Sequence, residues 1–205
     1  MARLRSPKGC PWDREQDHMT LRWHAVEEVY ELLDAIEAED DHEIAEELGD
    51  LLLQVVFHCQ LGKERGAFDF DKVVRHITTK LIRRHPHVFG NLTVKNVDQV
   101  WVNWEQIKRA EKHGTTHARP SAFDGIPKHL PALLRTEKLL KKARRANLLH
   151  DAKPARKLAK RELARNLFEL AREAHSRGWS AEALLRQETQ KQEALFRKSE
   201  RAKSQ

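Results

Sequence analysis

Cysteine is scarce: only Cys10 and Cys59 occur in 205 residues. Two thiols far apart in sequence fit reduced side chains and argue against a disulfide framework. Long apolar runs are missing too. No stretch approaches ~18 uninterrupted apolar residues, and the opening MARLRSPKGC has no apolar h-region. Neither a membrane span nor a secretion signal is expected, and the cytoplasm is the expected compartment. The alternation of apolar and polar residues that marks a half-buried strand is absent as well, which leaves an all-α class as the expectation.

What is present suffices for a core. Apolar residues make up 40% of the chain, and its length allows one large or two small domains. The formal charge of +7 is unevenly spread: residues 1–129 hold 18 Lys and Arg against 22 Asp and Glu, whereas residues 130–205 hold 20 against 9. Two regions of different chemistry are implied. The basic half could serve a nucleic acid, but solvated helices rich in Lys and Arg share this composition, so nucleic-acid binding stands second.

Val26, Val29, Leu33 and Ile36 follow helical spacing, as do Leu48, Leu51, Leu52, Val55 and Val56. With the polar EAEDDHE between them as a turn, they predict an antiparallel hairpin packed through its apolar stripes. Gly49 costs helix propensity, so it is expected to admit a closely approaching helix. A third helix is expected over 70–84, ended by Pro86, and a fourth over 97–112. Residues 113–131, HGTTHARPSAFDGIPKHLP, read as a linker, with further helical stretches over 132–149 and 154–203.

The hairpin carries the chemistry. At ~100° per residue, Glu28 and Glu31 share one helix face, and Glu47 and Asp50 share another. Glu-rich helices commonly present a solvated face, and one E-x-x-E is a weak signal. Two acid pairs in succession beside leucines favour a metal site, because four converging carboxylates repel unless protonated or bridged by cations. All-oxygen ligation suits Mg²⁺ or Mn²⁺ better than Zn²⁺. A di-iron bundle would want a Glu-x-x-His pair, and neither Glu28 nor Glu47 has a histidine three residues on. Lys80, Arg83 and Arg84 suit phosphate oxygens, and Trp104 with Lys108 one turn later adds an aromatic and a cation. Metal, cations and an aromatic together suggest a nucleotide polyphosphate.

GCPWDREQ (9–16), EEVYELLDAI (27–36), EELGDLLLQVVFH (46–58), GAFDFDKVV (66–74), KLIRRHPHVFG (80–90) and NWEQIK (103–108) together resemble the MazG nucleoside triphosphate pyrophosphohydrolases over about residues 3–112. The resemblance implies an all-α domain that hydrolyses nucleoside triphosphates to monophosphate and pyrophosphate with Mg²⁺, as a dimer or higher assembly. It implies that Glu28, Glu31, Glu47 and Asp50 hold the metal and that Glu27 orients or deprotonates the attacking water. Lys80 and Arg84 would then grip phosphates, and Trp104 and Lys108 would contact the nucleotide. For Cys10 and Trp12 packing is the expected role, with Asp13 capping the first helix. His85 and His87 read as polar turn residues flanking Pro86.

Residues 161–201 align with the segment from Glu46 to Arg84, setting Leu163 on Leu48, Gly178 on Gly66 and Lys191 on Lys80. Glu162 takes the place of Glu47, but Arg165 stands at Asp50, and Ala194 and Leu195 replace Arg83 and Arg84. An arginine at a ligand position repels a dication. The expected organisation is a catalytic domain over 1–112, the linker over 113–131, and a degenerate second copy over 132–205.

Overall fold

The computed structural model describes residues 1–112, 114, 115, 118, 120–149 and 158–203. Among these the chain is helical, without a strand, and no helix is long and apolar enough to cross a membrane. It divides into two compact units, Met1–Ile107 and Lys108–Gln205.

The first unit is built on a hairpin. Helix α1 spans Pro11–Glu15, α2 His24–Glu37 and α3 Asp41–Glu64. Asp40 starts α3 by accepting the backbone N–H groups of His42 and Glu43 at 3.0 and 3.3 Å, which satisfies donors that a helix start leaves open. Helix α4 spans Phe70–Arg84, capped by Asp69 accepting from Lys72 N–H at 2.8 Å. Pro86 cannot continue α4 and instead occupies the first turn of the short α5, Pro86–Phe89. Helix α6, Val97–Ala110, follows. The described helix therefore stops before the expected residue 112.

Leu21, Phe57 and Leu61 form the buried core of this unit, packed against Met1. Arg5 fastens the N-terminal segment over it. The guanidinium donates to Glu64 Oε1 at 2.9 Å and Oε2 at 2.8 Å, to the Gln16 carbonyl at 3.1 Å and to the Asp13 carbonyl, with Phe57 beneath it at 5.6 Å. Trp12 sets its edge against Phe57 at 6.5 Å, which fits packing. Asp13 is not a cap. Cys10 is the N-cap residue and contributes no side-chain bond, because Pro11 takes the first helical turn, and Asp13 lies inside that turn, buried.

The hairpin forms, but its apolar stripes do not close on each other. Ala35 is the one α2 residue fully buried, whereas Val26, Val29, Leu33, Ile36, Leu48, Leu52 and Val55 remain 41–54% exposed. Nor, among the described residues, does a helix press on Gly49, since a Cβ there would meet nothing within 4 Å. Helical spacing identifies an apolar face without identifying what covers it.

In the second unit, α7 (Ala132–Arg145), α8 (Lys160–Ser176) and α9 (Ala181–Lys203) follow a packed turn. Phe123, inside the segment expected to be a linker, is 1% exposed and forms a core with Leu139, Ala143 and Leu148. Phe196 stacks on it with centroids 5.6 Å apart. Carboxylates of α9 tie this core together. Glu182 accepts the Ala132 N–H at the start of α7 at 2.9 Å, Glu193 accepts from Arg135 at 2.5 Å, and Glu200 accepts from Ser121 Oγ at 2.6 Å. Helix α7 ends at Arg145 rather than at 149. Residues 154–157 of the helical stretch expected over 154–203 and four positions of the expected linker (113, 116, 117 and 119) lie outside the described residues.

Candidate active site

The acid residues of α2 and α3 converge. One carboxylate oxygen from each of Glu28, Glu47 and Asp50 lies within 4.8 Å of the others, and all three residues are half-buried. Glu28 and Glu31 share a face of α2, and Glu47 and Asp50 share a face of α3, so the hairpin turn at 38–40 brings the two pairs together. The expected fourth ligand, Glu31, is exposed and is not among these three, although its charge reaches Glu47. Partial desolvation, a hydrogen bond to Glu28 and the charges of Glu28, Glu27 and Asp50 push its carboxyl above the usual range. Glu47 is pushed up as well, by burial first and then by the charges of Glu31, Asp50, Glu46 and Glu43. Crowded carboxylates repel one another, so this group draws positive charge from its surroundings.

Beneath it lies Gln54, buried, donating its amide to Glu28 Oε1 at 3.3 Å. Sequence reasoning missed this residue, although its place one turn beyond Asp50 on α3 could have indicated it. Glu47 Oε2 and Gln54 Oε1 are both buried without a hydrogen-bond donor among the described residues. Buried acceptors left without donors are costly, and one of them, Glu47 Oε2, belongs to a residue of the carboxylate group, which fits a hard divalent cation. Divalent-metal binding agrees with this donor set.

Glu27 stands at the rim. It is exposed, 3.7 Å from His24 Nδ1, and its charge reaches Glu31. A neighbouring group, His42, Glu43 and Glu46, lies in the exposed first turns of α3. The cations form separate clusters on α4. Lys80 lines a groove with Lys72, Arg75, His76, Thr79 and Arg83. Arg84 lies over the Trp104 ring at 5.3 Å, and Trp101 meets Trp104 edge-on at 5.7 Å, so the fold joins the expected phosphate-side and nucleotide-side residues through a cation–π contact. Lys108 follows one turn later on α6, where the second unit begins. His85 turns its Nδ1 to the Leu81 carbonyl at 2.7 Å, as a residue closing a helix does.

The fold and site thus define an all-α hairpin protein that gathers acids of two helices into one oxygen-rich group. Residues 16–89 match the model of the MazG nucleotide pyrophosphohydrolase domain, and this part of the chain belongs to that family. The chain is 49% identical over 143 residues to the nucleoside triphosphate pyrophosphohydrolase of Escherichia coli K12, an alignment covering 69% of this chain and 54% of that one. It is 53% identical over 112 residues to the nucleoside triphosphate pyrophosphohydrolase/pyrophosphatase MazG of Thermotoga maritima, covering 55% and 42%. With the uncharacterized YabN of Bacillus subtilis the identity is 49% over 138 residues, covering 67% and 28%. The chain thus spans about half the length of the Escherichia coli protein and less of the other two.

Proposed function

We propose that the protein hydrolyses nucleoside triphosphates, ribo- or deoxy-, to nucleoside monophosphate and pyrophosphate, as a nucleotide-pool enzyme of the cytoplasm. The observation that carries this is the convergence of Glu28, Glu47 and Asp50, with Glu47 Oε2 buried and donorless and the charge of Glu31 acting on Glu47. The names of the Escherichia coli and Thermotoga maritima relatives support the same reaction. Mg²⁺, or Mn²⁺, is the proposed ion. Held by those four carboxylates, it would neutralise the polyphosphate and make water more acidic.

In this proposal the chain's own residues do the following work. Glu27, on the open rim, orients the attacking water and takes its proton as the bond between the α and β phosphates breaks. Lys80 and Arg84 balance charge on the phosphate oxygens, and Trp104 and Lys108 hold the nucleotide. The catalytic region is residues 1–112, and 132–205 is a degenerate second copy. The two turns support that duplication. Gly66 and Gly178 both take left-handed conformations, φ +67° and +71°, with matching backbone bonds from Gly66 to Lys63, Ala67 to Gly62, Gly178 to His175 and Trp179 to Ala174. A second copy of the chain covers the open stripes of α2 and α3 around Gly49, making a homodimer or higher assembly.

Incubating the protein with a panel of nucleoside triphosphates and Mg²⁺ and resolving the products tests the reaction. Monophosphate with pyrophosphate is expected. Diphosphate with phosphate, or no turnover by folded protein, overturns it. Salt-sensitive duplex DNA binding without turnover would instead favour the basic C-terminal half as the functional part.

A further inference from the structure

The turn leading into α2 is held to the far half of α3 by two histidines. Nδ1 of His18 and Nδ1 of His58 are 2.8 Å apart, and their rings lie nearly parallel with centroids 5.0 Å apart. Arg65 Nη2 sits 2.8 Å from His18 Nε2. The protons can be placed from what each group is able to do. A guanidinium only donates, so His18 Nε2 carries a lone pair and its ring proton is on Nδ1. That proton points at His58 Nδ1, which accepts it, leaving His58 protonated on Nε2. Both rings are therefore neutral, and a single tautomer of each satisfies the chain of bonds.

The surroundings are fitted to this arrangement. The Phe68 ring stacks on His18 with centroids 6.1 Å apart and lies over Gly62, where a Cβ would come within 2.7 to 2.8 Å of it. The charged groups acting on the pair are Asp17, whose carboxylate interacts with His18, and Arg65 at the end of α3; nearby along the chain, Arg5 is paired with Glu64, and Asp69 in the turn before α4 acts on Cys59. The arginines keep their charge. The Thr20 and Met19 backbone N–H groups hold Asp17 below the usual carboxylate range, and Arg5 holds Glu64 below it, so both stay ionised where histidines gain protons.

We propose that His18, His58 and Arg65 form a proton-sensitive clasp that seats the start of α2 on α3 and so sets the spacing between Glu28 and the Glu47–Asp50 pair. A proton reaching His58 Nδ1 would face the N–H of His18. One reaching His18 Nε2 would face Arg65. Either breaks a hydrogen bond and adds like charges at close range, so the clasp opens on mild acidification. The three are positioning residues, far along α3 from the carboxylates, and the clasp does not depend on what those carboxylates hold.

Hydrogen exchange of the full chain, followed from about pH 7.5 to about 5.5 and corrected for intrinsic rates, tests the clasp. For a two-proton opening by imidazoles of ordinary affinity, about pH 6.5 once exposed, the opening constant of residues 17–31 is expected to rise roughly hundredfold across that range. His58→Asn retains an acceptor at the Nδ1 position and takes up no proton. It is expected to keep protection near neutral pH and to lower the slope, with a rise of about tenfold across the same range. Protection that does not change with pH, or an unchanged slope in His58→Asn, overturns the proposal. Nitrogen-15 shifts of the wild-type imidazoles give a second measurement if the variant fails to fold. His18 protonated on Nδ1 and His58 on Nε2 are expected near neutral pH, and the opposite tautomer of either ring refutes the clasp.

Discussion

Replacing Arg5 with methionine isolates the anchor of the N-terminal segment. The guanidinium is 10% exposed and Glu64 is 36% exposed. Two charge-assisted bonds to one carboxylate would contribute roughly 1.5–3 kcal/mol if both partners were buried. Glu64 can recover water once freed, so its share falls to about 1 kcal/mol. The carbonyls of Asp13 and Gln16 also lose a donor, at about 1 kcal/mol each. The expected loss is about 3 kcal/mol, which for a unit of this size lowers its melting temperature by roughly 12–24 °C. Urea unfolding of Arg5→Met, Glu64→Gln and the double variant measures the coupling, expected at about 1 kcal/mol. Stability should also fall in acid. The folded Glu64 carboxyl lies below its usual range, so its contribution is present above the unfolded value and is lost as pH falls through the folded one. A loss under about 0.5 kcal/mol for Arg5→Met, with no pH dependence tied to Glu64, would refute this account.

Asp50→Ala should reduce nucleotide hydrolysis by about three orders of magnitude or more while leaving helical circular dichroism unchanged, and near-normal turnover would remove Asp50 from the mechanism. Glu31 and Glu47 are shifted upward. Without a divalent ion, their contribution to stability is therefore greatest below the unfolded carboxylate value and is lost as pH rises through the folded ones. Mn²⁺ affinity should show the reverse trend, weakening as these carboxyls take up protons, which titration calorimetry at stepped pH would reveal. Phe123→Ala should cost the second unit about 3–5 kcal/mol, and an unchanged unfolding transition would return residues 121–131 to the status of a connector. Gly49→Ala should stabilise α3 by about 1 kcal/mol if nothing packs there, and should weaken self-association in sedimentation if a second copy does.

The elements with explicit stop chemistry were legible in the sequence. Pro86 ends α4 as expected, whereas the caps Asp69 and Asp40 emerge only in the fold, and Asp40 starts α3 at Asp41, inside the turn expected over 37–43. The carboxylates were legible because helical spacing places each acid pair on one face and the intervening turn is short. Burial without periodicity was not. Phe123 stands alone among Gly, Pro and Ser, so only its three-dimensional neighbours reveal it as core. Asp13 had the chemistry of a cap, but Pro11 set the helix start ahead of it. Gln54 and the His18–His58 pair depend on contacts between segments far apart in sequence, which composition and spacing do not encode.

Helix α3 is 24 residues long, about 36 Å at 1.5 Å per residue. Glu47 and Asp50 stand near one end, His58 beyond the middle and Glu64 at its last turn. Mechanically it is a single beam gripped at three heights, and its rotational phase is shared by every grip. One residue added between Asp50 and His58 would turn the acids by about 100° relative to both anchors. A residue added in the 38–40 turn would leave that phase intact. Length tolerance is therefore expected to differ sharply between two sites less than twenty residues apart, with the helix interior rigid in register and the turn permissive.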